Sequence, residues 1–266
     1  MSKISYLIDR LVIKQPRFRS AITRLIYGNR DLSVDLFGTN FIINSIRENG
    51  YFRAFKKSLT SSLFRDEASV LISLSSILQP GDTFIDVGAN IGLFSCVLSR
   101  RNSLARNLPT LFYAYEPHPN TFERLRLNSA PLGIVCRNVA VSNKRGEEEF
   151  IDGAVSHVFT NVASASQYNI QTQRQHIKTV RLDEEKIEGN SIVIKIDVEG
   201  SELAVLQGAT KLFESNRVKA VYLDGFKNEV EVESFLQRFN FAFFNGRTLE
   251  RSKNHEFSLL AICKNG

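Results

Sequence analysis

Residues 83–92 read Thr-Phe-Ile-Asp-Val-Gly-Ala-Asn-Ile-Gly. The first five make an apolar run of strand length, and Gly88 and Gly92 stand where that run gives way to the helical pattern Ile91–Arg101. Glycine in such a turn permits positive φ and lets the backbone approach a ligand without a Cβ in the way. The first turn of the helix that follows leaves backbone N–H groups without intrahelical partners. A strand that turns through glycine into a helix opens a βαβ crossover, and the same alternation continues downstream. Runs at Leu111–Tyr115, Gly133–Val135, Ile192–Ile196 and Lys219–Leu223 read as strands, most of them followed by helical patterns at Asn120–Asn128, Glu202–Phe213 and Val230–Phe239. The alternation predicts an α/β fold: a doubly wound, mainly parallel sheet with helices on both faces. Two late runs, Phe241–Phe244 and Phe257–Cys263, have no helix between them and are separated by Asn245-Gly246 and polar residues. They predict an antiparallel edge pair and bring the sheet to seven strands.

Outward from this core the pattern changes. Residues 63–79 carry Val70, Leu71, Leu74, Ile77 and Leu78 on one helical face, closed by Pro80-Gly81. Residues 34–43 place two short apolar runs around Gly38-Thr39-Asn40, a hairpin added to the main sheet. Residues 3–13 space Ile4, Leu7, Ile8, Leu11 and Val12 as one side of a helix; Pro16 breaks it, and a second helix spans about Phe18–Ile26. Residues 145–182 do not form a clean βα unit and read as a hairpin or loop insertion. Two domains follow: an N-terminal arm with its hairpin over residues 1–62, and an α/β domain over 63–266.

The chain has 266 residues, 43% of them hydrophobic, and a formal net charge of +6. An apolar share of that size fills a core and excludes a disordered chain. Residues 1–30 hold Lys3, Arg10, Lys14, Arg17, Arg19, Arg24 and Arg30 against Asp9 alone, so the arm carries the whole excess and the rest sums to zero. A nucleic-acid-binding body should be cationic itself, so no nucleic-acid partner is expected. The arm reads either as a basic amphipathic segment in peripheral contact with an anionic membrane or as a helix packed on the body or on a second subunit of a homo-oligomer. No run approaches the roughly 20 apolar residues a bilayer crossing needs, and no secretory signal is recognisable. Cys96, Cys136 and Cys263 are odd in number and widely spaced, which suits neither a disulfide framework nor a zinc site. The expected location is the cytoplasm; on the membrane-contact reading the arm lies at the inner membrane face.

The turn after the first strand does not match a dinucleotide site. That fingerprint requires G-x-G-x-x-G, and counting from Gly88 this chain has Asn90 and Leu93 at the second and third glycine positions, which disfavours a nicotinamide oxidoreductase. The spacing Asp86-x-Gly88-x-Asn90-x-Gly92 resembles the first motif of class I methyltransferases, which bind S-adenosylmethionine (SAM). Asp86 is then available to a cationic amine or a bound water. Glu116 stands at the C-terminal end of the strand Leu111–Tyr115, the edge at which open α/β sheets bind ligands. A carboxylate there accepts from both hydroxyls of a ribose in charge-assisted bonds. Further on, Asp197, Glu199 and Glu202 crowd the turn between a strand and a helix. One helix cap does not need three acids, and crowding raises at least one carboxyl pKa, as suits a proton acceptor.

Four motifs in order resemble the FkbM-type methyltransferase family: Asp-Val-Gly-Ala-Asn-Ile-Gly at 86–92, Tyr-Glu-Pro-His-Pro-Asn-Thr-Phe at 115–122, Ala-Val-Ser at 140–142, and Lys-Ile-Asp-Val-Glu-Gly-Ser-Glu at 195–202 with Leu206-Gln207-Gly208. The resemblance spans about residues 63–225. It implies SAM as cofactor and methyl transfer to a hydroxyl oxygen of a carbohydrate, glycan or natural-product acceptor. On the matching positions, Asp86, Gly88, Ala89, Asn90 and Gly92 form the cofactor loop, Glu116 holds the ribose and Asn138 meets the adenine. Asp197 is the first candidate for the general base, Glu199 the second and His118 a third, for which a helix-capping role competes. Glu202 and Asp224 would contact the acceptor, although similar sequences often carry Glu where this chain has Leu223-Asp224-Gly225. His157, His176 and His255 show no metal-site spacing, and no resident metal is expected; Mg²⁺ on Asp197, Glu199 and Asp224 is the alternative. Two further readings remain, a nucleic-acid methyltransferase and a catalytically silent, membrane-docked module that keeps a SAM fold.

Overall fold

The computed structural model describes residues 16–56, 63–105, 110–152, 158–159, 173–198, 200–225, 229–251 and 258–264. The chain forms two compact units, residues 1–72 and 73–266. The predicted helix over 3–13 lies outside the described residues.

In the first unit the described residues open with helix α1, Pro16–Tyr27, and continue as strands β1, Asp31–Leu36, and β2, Thr39–Asn44, before helix α2, Asn49–Phe55. The two strands pair antiparallel and form a two-stranded sheet of their own rather than an extension of the main one. The turn is Phe37-Gly38, two residues with φ of 55° and 75°. A two-residue turn with both φ values positive matches the right-handed twist of the flanking strands. The hairpin therefore reverses just before Thr39-Asn40, which pair in β2. Alternation sends Val34, Leu36, Phe41 and Ile43 inward, and Tyr27 meets Phe52 edge-on at 4.9 Å between ring centroids.

Helix α3, Leu63–Ile77, leads to the second unit, whose elements follow as β3 Thr83–Val87, α4 Leu93–Ala105, β4 Leu111–Tyr115, α5 Pro119–Ser129, β5 Val135–Arg137, β6 Ala140–Val141, β7 Gly146–Asp152, β8 Val158–Phe159, β9 Gln173–Val180, β10 Ile192–Ile196, α6 Glu202–Gly208, α7 Thr210–Glu214, β11 Val218–Asp224, α8 Glu229–Arg238, β12 Phe241–Asn245 and β13 Ser258–Cys263. Seven strands form the main sheet in the order β12-β13-β11-β10-β3-β4-β5. Strands β11, β10, β3, β4 and β5 run parallel, and β13 and β12 complete the edge antiparallel, as the alternation predicts.

Chain order reverses at β3. From there the chain steps to β4 and β5 on one side, then returns to β10 on the other. That reversal opens a crevice at the carboxyl ends of β3 and β10, the position where ligands bind in open α/β sheets. Successive strand residues face opposite layers. Ile85, Val87, Ile192, Ile194 and Ile196 share one core with Val205, Leu206, Leu212, Phe213 and Phe235, while Ala114 packs with Leu125 and Phe122 in another. The insertion between β5 and β10 forms a four-stranded sheet, order β6-β9-β7-β8, in which β7 and β9 pair antiparallel over residues 146–152 and 173–179. The helix predicted over Glu202–Phe213 is two helices, interrupted at Ala209.

Candidate active site

The loop after β3 is tied to both neighbouring strands. The N–H groups of Gly88 and Ala89 both donate to the Tyr115 carbonyl at 3.0 Å, and the Asp197 N–H donates to Val87 at 3.0 Å. Gly88 has φ of 75°, and a Cβ built on it would collide with the Asp197 carbonyl. At Gly92, φ 89°, a Cβ would lie 2.8 Å from Leu125 Cδ1 and 3.1 Å from Cys96 Sγ. Both glycines are thus held by packing within the chain as well as by their positive φ.

Glu116 extends β4 toward this loop and is 7% exposed. Its Oε2 accepts from Asn90 N at 2.9 Å and its Oε1 from His118 N at 2.9 Å. Asn90 reaches this geometry with φ of 51°, a conformation that Asn adopts more readily than other residues with a side chain. Burial raises the Glu116 carboxyl from the ordinary 4.5 to about 7, against the two backbone N–H bonds and the His118 and Lys195 charges, which lower it. Each oxygen has accepted one backbone donor and retains lone-pair capacity for another. Asn138 donates from Nδ2 to the carbonyls of Glu116, at 2.9 Å, and Pro117, at 3.0 Å, and so fixes the turn that carries the carboxylate.

His118 is the N-cap of α5: its Nδ1 accepts from Thr121 N at 3.4 Å. Of its two expected roles the structure displays the capping one.

On the other side of β3 a row of charge crosses the sheet edge. Lys195 lies opposite Asp86 in the β3–β10 register and is 3% exposed. Its Nζ is 3.4 Å from Asp86 Oδ1 and 3.3 Å from Asp197 Oδ2, and it donates to the Gly88 carbonyl at 3.2 Å. Asp86 is fully buried and also accepts from Ser95 Oγ at 2.7 Å. The cation beside Asp86 in this structure is therefore the chain's own Lys195. Asp197 opens outward, its side chain 39% exposed. Asp224 ends the adjacent strand β11, accepts from Tyr222 OH at 3.2 Å and lies 4.0 Å from Arg247. Burial first, and the Asp197 charge second, raise the Asp224 carboxyl.

Glu202 does not join this row. It has no exposed surface, and its Oε1 accepts from Gly200 N at 2.8 Å, so it holds the loop before α6 and is not open to an acceptor. Glu199, His157 and His255 lie outside the described residues. Among the described residues, no group of three or more His, Cys, Asp or Glu is arranged to hold a metal ion, and no helix is long and apolar enough to cross a membrane.

Lys195 is the site residue that sequence reasoning missed. The signal was present: Asp86 and Lys195 occupy the fourth positions of two five-residue strands whose other members, Thr83 aside, are apolar. Two ionisable residues at matched positions of buried parallel strands must pair, because an isolated buried charge is far too costly.

The strand order, with its reversal at β3 and its antiparallel edge pair, defines a Rossmann-like α/β fold of the kind class I methyltransferases share. The FkbM methyltransferase domain matches residues 86–256, and the chain belongs to that family. A relative, the hexuronic acid methyltransferase AglP of Haloferax volcanii, is 27% identical over 222 residues, covering 81% of this chain and 79% of its own. Similar solved structures include a ribosomal protein L11 methylase from Lactobacillus delbrueckii subsp. bulgaricus, with TM-score 0.42 and 12% identity over 74% of this chain and 76% of that one. A TehB-like SAM-dependent methyltransferase from Corynebacterium glutamicum gives TM-score 0.41 and 9% identity over 81% of this chain and 97% of its own. The protein is a methyltransferase of α/β fold.

Proposed function

We propose that this methyltransferase takes its methyl group from SAM and delivers it to a hydroxyl oxygen of a carbohydrate acceptor, a hexuronic acid or a glycan containing one. The observation that carries the cofactor is Glu116, a nearly buried carboxylate held between two backbone N–H groups at the switch point with acceptor capacity to spare. Those oxygens suit a vicinal diol, and the ribose of SAM has one. The acceptor class rests on the AglP relative and on the carboxylates at the neighbouring strand ends.

When bound, SAM supplies a methyl group activated on a sulfonium. The chain's own part is alignment and proton removal. Alignment of two reactants contributes up to about 7–11 kcal/mol. An alcohol must also lose its proton, and Asp197, partly exposed at the end of β10, is the group that takes it. A base in that position adds roughly 10²–10⁴-fold. Asp224, one strand over, accepts from the same acceptor.

Calorimetric titration with SAM tests the cofactor: wild type should bind, and Glu116→Ala should lose most of the affinity. Binding indifferent to that substitution defeats the assignment. Mass spectrometry of glucuronides incubated with enzyme and SAM tests the acceptor. An ether on a hydroxyl survives mild alkali, whereas a methyl ester does not, and an alkali-labile product would place the transfer on a carboxyl.

A further inference from the structure

The methyl-transfer reading uses Asp197 and leaves Lys195 without a role. The geometry gives it one. Its ammonium lies within 3.4 Å of three oxygens on two strands: Asp86 Oδ1, the Gly88 carbonyl and Asp197 Oδ2. Phe94 closes the remaining side, with its ring centroid 5.1 Å from Nζ. The group spans a gradient of burial, from Asp86 with no exposed surface to Asp197 with a side chain 39% exposed. Taking an ammonium out of water is costly unless several partners compensate it. A counter-ion for Asp86 alone would not need to reach the crevice.

We propose that Lys195 is a positioning residue for methyl transfer: it pins Oδ2 of Asp197 beside the Gly88 carbonyl at the junction of β3 and β10, leaving the second oxygen for the acceptor hydroxyl. This rests on Asp197 as the proton acceptor. Lys195 links Asp197 to Asp86 on β3; Asp224 at the end of β11 is coupled to Asp197, with Arg247 beside Asp224 and Glu116, just past β4, within the field of Lys195. Three of these groups are acids. Lys195 is the cation in direct contact with Asp197 among them.

The test compares Lys195→Met, Lys195→Arg and the double variant Asp86→Asn/Lys195→Met. The double variant removes both members of the buried pair, so it retains a folded protein if the single Met substitution leaves Asp86 stranded. The ¹³C signal of the Asp197 carboxyl at neutral pH, assigned by its loss in Asp197→Asn, reads the contact with Lys195 in the unliganded protein: it should shift in Lys195→Met and in the double variant and stay near wild type in Lys195→Arg. In Lys195→Met and in the double variant kcat should fall by about 10²-fold, the cost of a misplaced reacting group, while the Kd for SAM stays within about threefold of wild type; Lys195→Arg, which keeps an N–H donor for Asp197 Oδ2, should recover most of the loss. A folded double variant with an unshifted Asp197 signal and the wild-type kcat would show that Lys195 merely neutralises Asp86, and would overturn the proposal. Failure of wild type to bind SAM is a separate outcome; it defeats the methyl-transfer reading, whereas the carboxyl signal reads the Lys195–Asp197 contact by itself.

Discussion

The carbonyl of Asp197 occupies the space that a side chain on Gly88 would fill. Strands β3 and β10 therefore leave the sheet in direct backbone contact, and the proposed proton acceptor is placed by the same crossing that makes the glycine necessary. Gly88→Ala should cost about 1–3 kcal/mol for a left-handed backbone and a further ~1–3 kcal/mol for the overlap. Thermal unfolding reads the loss directly; an alanine variant as stable as wild type would contradict the packing of these two strand exits.

Burial lifts the Glu116 carboxyl to about 7. With a folded-state value above the ordinary 4.5, the folded protein holds a proton that the unfolded chain has released anywhere between those limits. The Glu116 contribution to the stability of the unliganded protein should therefore be fully present at and below 4.5, be lost as pH rises through that window, and level off above 7. One group contributes on the order of 3 kcal/mol across the window. Glu116→Gln removes the titration, so the stability difference between wild type and variant should change with pH by that order; a constant difference from pH 5 to 8 would refute it. Because the ribose diol is a donor, SAM affinity should tighten with rising pH in wild type and stay flat in Glu116→Gln.

Asp197 and Asp224 should be separable by one substitution. Asp197→Asn is expected to lower kcat by about 10²–10⁴-fold with SAM binding intact, which steady-state rates and calorimetry read. The same substitution removes the like charge that, after burial, raises the Asp224 carboxyl, so the Asp224 titration followed by ¹³C NMR should move to lower pH; an Asp224 titration that stays put or rises in Asp197→Asn would rule out that coupling.

Glu202 belongs to the loop rather than to the acceptor. Removing its side chain leaves the Gly200 N–H without that partner, at a cost of about 1–3 kcal/mol. Glu202→Ala should thus lower the unfolding temperature and leave the acceptor KM within about twofold. A large rise in KM without loss of stability would restore the substrate role.

The strands nearest the site were the most legible part of the molecule. Thr83–Val87, Leu111–Tyr115 and Ile192–Ile196 are buried nearly throughout, and a run of apolar residues bounded by turn signals marks such strands clearly. The edge strand β5 was misplaced by two residues. Val135 and Arg137 are exposed there, so apolar pattern gives no register, and Gly133 belongs to the left-handed end of the preceding 3₁₀ turn. The break between α6 and α7 was hidden for a different reason. Asp183, far away in sequence, accepts from the N–H groups of Lys211 and Leu212 and caps the second helix from outside. Gly208 meets the Ser142 backbone so closely that no Cβ fits between them. Glu116 and Asp197 could be read from strand ends alone. The role of Lys195 needed the register between two strands, and the inward turn of Glu202 needed the path of its own loop.

The reversal of chain order at β3 places the proposed nucleoside grip, at the end of β4, and the proposed reactive acids, at the ends of β10 and β11, on separate halves of the sheet. On that reading, substitutions at the end of β11 and in the Asn245–Glu250 turn would leave the bonds that hold Glu116 undisturbed. A cofactor half held apart from an acceptor half would let one scaffold change its acceptor while keeping its cofactor.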